Sequence, residues 1–288
     1  MIKYSRNKLI IPAVPLVLLS MISLQGGASI AKYLFPVLGA TGTATLRVAF
    51  SALMLLAVFR PNFRLNKKQW LACLAYGICL GTMNLVFYLA IRRIPLGLGV
   101  TLEFTGPLVL GLFASRRPLD LLWALLACIG IALIAPWQHS SIDVLGAALA
   151  ILAGVLWASY IVLGGKVSRL MKSGDAVTIG MCIGSLFVLP IGIFSGDLTV
   201  LDLRLILLGI VVALLTSAIP FTLEMRALKQ LSAPHFGILM SLHPAFGALS
   251  GLLFLGEHLS IAQWVSVACV IAASAGATYF SRKPVTLD

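Results

Sequence analysis

One carboxylate, Glu103, and one imidazole, His243, fall in the middle of long apolar stretches where few other residues can ionise. A charge held in hydrocarbon is costly, so such groups mark a route for ions or substrate by default. Glu103 can hold a proton or an ammonium group. Histidine, with a reference pKa of about 6.5, responds to protons near neutrality. Arg47 counts to a similar depth. It could pair with Glu103 and lower the cost of both, or reach the outer interface with its charged end. Gln25, Ser29, Asn84 and Tyr88 could line a small polar cavity, although interhelical hydrogen bonding would suit each of them equally. Pro107 and Pro244 follow Glu103 and His243 closely. Each proline removes a helical hydrogen bond and frees a carbonyl, which a substrate ammonium could use. Gly97, Gly99, Gly106 and Gly237 add flexibility nearby, or serve close helix packing. Thr216, Ser217 and Ser241 are further polar residues inside apolar stretches. Glu224 lies near the inner end of its stretch, where Arg226 or Lys229 could pair with it, or where it could act as a gate.

Other chemistries are not written here. No glycine loop ends in the Lys-Ser/Thr pair that cradles phosphates, which argues against ATP-driven pumping by this chain. His139, His235, His243 and His258 lack metal-site spacing, and no serine, histidine and acid set is arranged for hydrolysis. Neither a cofactor, a metal nor an enzymatic activity is expected. The cysteines, 73, 79, 128, 182 and 269, fall in apolar stretches without paired spacing and read as apolar filler.

The elements that must position these residues are membrane helices. Mean hydropathy is +1.05, with 60% hydrophobic and only 10% charged residues, against roughly 25% charged in soluble domains. About 20 apolar residues cross the hydrocarbon core. The predicted spans are 10–31, 38–59, 70–91, 95–114, 119–137, 143–164, 174–195, 203–225, 233–255 and 260–280, leaving no gap that could hold a soluble domain. The first span resembles a signal peptide, but its apolar run is too long, and it reads as an uncleaved helix. The expected fold is thus an all-α polytopic membrane protein of ten transmembrane helices.

The net charge of +12 could suggest a nucleic-acid partner. Its distribution argues otherwise. With both termini cytoplasmic, the inside segments carry Lys3, Arg6, Lys8, Arg60, Arg64, Lys67, Lys68, Arg116, Arg117, Lys166, Arg169, Lys172, Arg226, Lys229, Arg282 and Lys283. The outside segments carry only Lys32, Arg92, Arg93 and Arg204. That bias is the positive-inside signature, so the basic excess reports topology rather than nucleic-acid binding.

The chain also matches itself. With Pro107 aligned on Pro244, residues 90–94 (Ala-Ile-Arg-Arg-Ile) face 227–231 (Ala-Leu-Lys-Gln-Leu). Trp123, Ala127 and Cys128 then face Trp264, Ala268 and Cys269 after a small shift, and Ala28-Ser29 has a counterpart in Ala158-Ser159. These matches suggest two five-helix repeats, 1–138 and 142–288. Because five is odd, the second repeat must be inverted in the membrane. Inverted repeats are typical of alternating-access transporters, whose substrate site lies near midplane at the repeat interface. Ser115-Arg-Arg-Pro118 then falls inside, and its counterpart near Gly256-Glu-His258 outside. Counting along the spans puts Glu103 roughly 12 Å from the outer face and His243 roughly 15 Å from the inner face, both near midplane.

Several strings carry a family resemblance: Gln25-Gly-Gly-Ala-Ser29, Met83-Asn84 with Phe87-Tyr88, and Leu102-Glu-Phe-Thr-Gly-Pro107. Ser115-Arg-Arg-Pro118, Leu223-Glu-Met225, Phe236-Gly-Ile-Leu-Met-Ser241 and the late Gly256-Glu257 extend it over nearly the whole chain. The chain resembles the drug/metabolite transporter superfamily in its EamA-type branch, and within it the bacterial inner-membrane threonine/homoserine exporters. The resemblance implies a multi-pass protein of the bacterial inner membrane that exports small amino acids, in exchange for protons. A carrier of the same fold with another cargo, such as aromatic amino acids, is the alternative; an intramembrane enzyme is the reading from another class. The resemblance departs at His243, where an exporter of this type would be expected to carry an acidic residue. Histidine titrates but brings no negative charge to an ammonium.

Overall fold

The computed structural model describes residues 12–31, 34–94, 96–114, 118–134, 143–231, 236, 239–240, 242–255, 261, 264–265, 268–269 and 272–273. The described chain is helical, with no strand among the described residues. Its helices are α1 (Ala13–Ala31), α2 (Phe35–Phe59), α3 (Lys67–Ile91), α4 (Leu96–Glu103), α5 (Thr105–Ala114), α6 (Pro118–Ile134), α7 (Val144–Leu170), α8 (Ser173–Phe194), α9 (Leu203–Ala213), α10 (Ile219–Leu228) and α11 (His243–Leu255). A π-helical turn, Leu214–Ala218, joins α9 to α10. Five segments are long and apolar enough to cross a membrane by length and composition: Pro36–Phe59, Lys67–Ile91, Val144–Leu170, Ser173–Phe194 and Leu203–Leu228. The chain is therefore a helical multi-pass membrane protein.

Polar caps start the helices where spans meet water. Asn66 and Gln69 form a reciprocal capping box at α3, with bonds of 2.9 and 3.1 Å. Asp143 accepts from the Gly146 amide at 2.9 Å to cap α7, and Asp202 accepts from Leu205 at 2.7 Å to cap α9. Each occupies an amide that the first helical turn leaves without a partner. Near the start of α2, Gly39 adopts φ +60°, a conformation that favours glycine, and the helix bends there. The Asp197 carboxylate fills the space at that bend and accepts from the Gly42 amide at 3.2 Å.

Interhelix contacts set the directions. The α3 helix runs antiparallel to α7: Gln69 donates to the Leu170 carbonyl at 2.9 Å, Cys79 to Leu156 at 3.2 Å, and Gly146 packs under Ala90 and Ile94. The α2 helix runs antiparallel to α8, from Thr45 against Gly192 to Phe59 against Gly174. The α1 helix runs along the α9–α10 segment, with Ser23 donating to the Leu215 carbonyl at 2.7 Å and Gly27 pressed on Leu215 and Thr216. In lipid the packing between helices rests on close backbone approach and interhelical hydrogen bonds, because hydrocarbon competes for every apolar side chain. Leu53, Leu71, Leu186, Phe194 and Leu253 accordingly remain on the outside of the bundle. Arg60, Arg64, Lys67, Lys68, Lys166, Arg169, Lys172, Arg226 and Lys229 gather at the end where α1 and α3 begin. Arg92, Arg93 and Arg204 lie at the opposite end.

Candidate functional site

The predicted break beside Pro107 is present: α4 ends at Glu103, Phe104 forms a turn, and α5 begins at Thr105. Proline 107 has no amide hydrogen to offer the carbonyl of Glu103 four residues earlier. Pro244 is the second residue of α11, inside the first turn, where a missing N–H costs nothing. The break on that side therefore comes before His243, at Leu242. The Pro244 side chain lies outside the described residues.

A cavity of about 270 Å³ opens in the bundle between α1, α2, α3, α4, α7, the π turn and α11. Gln25, Arg47, Tyr88, Glu103, Thr216 and His243 are its polar wall, with Phe87, Trp157 and Val100 among its apolar residues. Its lining reaches Ala31 and Ile91, the last residues of α1 and α3. Trp157 and His243 add aromatic rings to its wall, and Phe104 packs against both. The Phe104 and Trp157 rings cross edge to face at 4.8 Å, and His243 lies 5.4 Å from Trp157 and 5.8 Å from Phe104.

Arg47 is buried and fixed. Its Nε donates to Ser217 Oγ at 2.6 Å, one terminal nitrogen to the Tyr88 hydroxyl at 3.1 Å, and the other to the Thr216 carbonyl at 2.7 Å. The π turn presents Ser217 and the Thr216 carbonyl to it, an irregularity of the kind that recurs at functional sites. A guanidinium has five N–H donors, so these bonds leave donors for a ligand. Glu103 is buried on the same cavity, and no ion pair joins it to Arg47. The pairing anticipated for these two residues is thus a shared cavity rather than a contact.

Gln25 fixes the imidazole. Its Nε2 donates to the His243 carbonyl at 3.2 Å and lies 3.3 Å from Nδ1, while Ser250 donates to the Gln25 carbonyl at 3.1 Å. A donor facing Nδ1 makes that nitrogen the acceptor, so the proton of the neutral ring belongs on Nε2. Nε2 is buried and has no partner among the described residues.

The family model described as the EamA-like transporter family matches residues 144–279. The chain is 45% identical over 272 residues to the threonine/homoserine exporter RhtA of Escherichia coli K12, covering 93% of this chain and 92% of that protein. This chain belongs to the EamA-like transporter family. The protein of the same name from Salmonella typhimurium LT2 is 44% identical over 270 residues, covering 92% of this chain and 91% of that one. A solved crystal structure, only 18% identical, superposes with a TM-score of 0.72, covering 93% of this chain and 99% of its own, and shares the fold.

Six of the residues singled out in the sequence of this EamA-like protein, Gln25, Arg47, Tyr88, Glu103, Thr216 and His243, meet on one cavity. Asn84 does not line it: its amide donates to the Leu80 carbonyl one turn back at 2.8 Å. The side chain of Ser29, together with Gly237, Ser241, Gly256-Glu257 and both chain ends, lies outside the described residues. Trp157 had no signal as a site residue, because only the crossing of α7 over the cavity brings it there. Glu224 needs correcting. It is buried, and it accepts a 2.8 Å hydrogen bond from the Tyr160 hydroxyl, whereas Arg226 and Lys229 point outward to the exposed surface. Helical spacing turns those cations to the opposite side of α10.

Proposed function

We propose that this EamA-like transporter exports small amino acids of the threonine/homoserine type across the bacterial inner membrane, by alternating access and in exchange for protons. The observation that carries the reading is a fixed guanidinium and a buried carboxylate on one small cavity with no ion pair between them. That is the charge pattern of an amino-acid zwitterion. The substrate carboxylate takes the free donors of Arg47, and its ammonium takes Glu103. The cavity volume of about 270 Å³ suits a small polar solute. Gln25, Tyr88 and His243 surround the side-chain end. The 45% identity to the exporter named for threonine and homoserine supports the same cargo.

The exchange for protons follows from one carboxylate serving two ligands. Glu103 binds either the ammonium or a proton, so each displaces the other. The helix breaks beside Glu103 and His243 supply the freed backbone typical of transporter sites.

Two inverted five-helix repeats, 1–138 and 142–288, both ends cytoplasmic, supply the moving parts. The packing is consistent with that symmetry: α3 lies on α7 as the α9–α10 segment lies on α1, and α2 meets α8 between them. The cations gathered where α1 and α3 begin support a cytoplasmic position for that end. The cavity then faces the periplasm.

The test uses liposomes loaded with labelled threonine, with and without an imposed proton gradient. Gradient-accelerated release that is lost in Glu103→Gln supports the reading. Threonine release by Glu103→Gln with unchanged pH dependence would overturn the role of Glu103, and an inert wild type would overturn the cargo.

A further inference from the structure

A second carboxylate lies away from the cavity, and the exchange reading above does not use it. Glu224 is eight residues past Thr216, about 12 Å farther along its segment toward the end rich in cations. It is only 2% exposed. Its hydrogen-bond donor comes from another helix and is neutral: Tyr160 of α7 donates to Oε2 at 2.8 Å, while the Ser20 hydroxyl of α1 is given to the Val17 carbonyl. Around this bond the Tyr160 ring stacks 5.5 Å from Tyr76 of α3 and 5.6 Å from Phe221 of α10. Arg47 of α2 acts on Glu224 through space, and the same guanidinium also acts on Glu103. Arg47 itself is bonded to Ser217, Tyr88 and Thr216, so it neutralises neither carboxylate by contact. Of the other groups nearby, Cys73 and Cys79 of α3 are thiols behind Tyr76, and Arg226 and Lys229 are exposed.

A buried carboxylate whose hydrogen-bond donor is a neutral hydroxyl, in a protein that spans a membrane, is a group built to gain and lose a proton. Its position also matters. Tyr76, Tyr160, Phe221 and Glu224 are buried together between the cavity and the cation-rich end, and they draw on α3, α7 and α10.

We propose that Glu224 is a second proton-binding site, and that its bond with Tyr160 latches the cytoplasmic end of the bundle closed. The proposal rests on the alternating-access reading. The proton leaves the Glu224 carboxyl for cytoplasmic water when that end opens, leaving a carboxylate. The carboxylate re-forms the Tyr160 bond in its stronger, charge-assisted form as the end shuts. Glu224 takes up its proton from the cavity side while the cytoplasmic end is shut, which weakens the Tyr160 bond. It gives the proton up through the opposite end, so that a proton crosses the membrane in each cycle.

Two variants and two readouts test this. In proteoliposomes, Glu224→Gln should lose acceleration of threonine release by a proton gradient while keeping threonine-for-threonine exchange. Release in Glu224→Gln that responds to the gradient as wild type does would overturn the proposal. So would loss of both activities in a variant that still unfolds at the wild-type temperature and still binds threonine. Infrared difference spectra across a pH titration need no substrate, and so separate this proposal from the choice of cargo. A carboxylic C=O band should be absent in Glu224→Gln, retained in Glu103→Gln, and shifted in frequency in Tyr160→Phe, which keeps the ring but removes the donor. A spectrum with no band that depends on Glu224 would overturn it as well.

Discussion

Gly106 and Gly154 meet backbone to backbone. A Cβ on Gly106 would run into the peptide of Gly154, and one on Gly154 would run into the carbonyl of Glu103 and the amide of Gly106. The α4–α5 break is thus pressed on α7 at the turn that carries Glu103, so the position of the carboxylate depends on two absent side chains.

Substituting either glycine forces those helices apart. Gly106→Ala and Gly154→Ala should each destabilise the protein by about 1–3 kcal/mol, the usual cost of overpacking, and should reduce transport together with stability. Gly26→Ala is the control, since nothing lies within 4 Å of its added Cβ. Alanine is the better helix former by about 0.8–1 kcal/mol, so that variant should be neutral or slightly stabilised. Thermal unfolding in detergent, followed by threonine release from liposomes, checks both.

Arg47 offers a sharper separation of charge from geometry. Lysine keeps the charge but has no planar fork, so it cannot reach Ser217, Tyr88 and the Thr216 carbonyl together. Arg47→Lys should fold, yet weaken threonine binding by about tenfold or more, since a hydrogen bond to a charged group contributes about 1.5–3 kcal/mol. Tyr88→Phe removes one of the three bonds and should show a smaller loss. Threonine affinity from equilibrium binding, measured on both variants, would sink the zwitterion reading if Arg47→Lys bound as wild type does.

That Arg47, Glu103 and His243 share one level of the bundle was legible in the sequence, and their neighbours were not. Counting residues along spans places Arg47, Glu103 and His243 at midplane, and all three reach one cavity, because rise per residue is a local property. Which helix faces which is a tertiary property. It decides that Arg47 is held by Ser217 and Thr216 rather than by Glu103, and that Asn84 turns back on Leu80. The buried partner of Glu224 was hidden for the same reason: Tyr160 is 64 residues away, while Arg226 and Lys229 are conspicuous next to it in sequence. The π turn left no mark in the apolar pattern of 203–225, since one extra residue in a helical turn does not change composition.

His243 gives a spectroscopic prediction. Because Gln25 Nε2 donates to the His243 carbonyl, the amide presents a donor to Nδ1. In the neutral ring the proton should therefore reside on Nε2. Nitrogen-15 histidine NMR, with the signal assigned by its loss in His243→Gln, should show an unprotonated Nδ1. In Gln25→Leu that preference should disappear, and a proton found on Nδ1 in wild type would contradict the arrangement.

Outside the spans, Asp143 links α7 to the end of α3. The Gly146 amide first, and then the Arg93 side chain 3.0 Å away, hold its carboxyl below the usual value of 3.8. A carboxyl depressed in the folded state contributes stability above its unfolded value, and that contribution is lost as pH falls through the lower folded value. Asp143→Ala should therefore unfold at a lower temperature than wild type at neutral pH, with the gap constant down to about pH 4 and closing only below it. Asp143→Asn retains a cap for Gly146 but loses the charge facing Arg93, so it should fall between the two. Salt should narrow the difference between asparagine and wild type, because the pair is solvent-exposed and screened. It should leave the difference between alanine and asparagine in place, because the cap is a hydrogen bond to backbone. Unfolding temperatures of the three proteins across pH and ionic strength test each part. A gap between wild type and alanine that closed on raising the pH would contradict the sign of the effect.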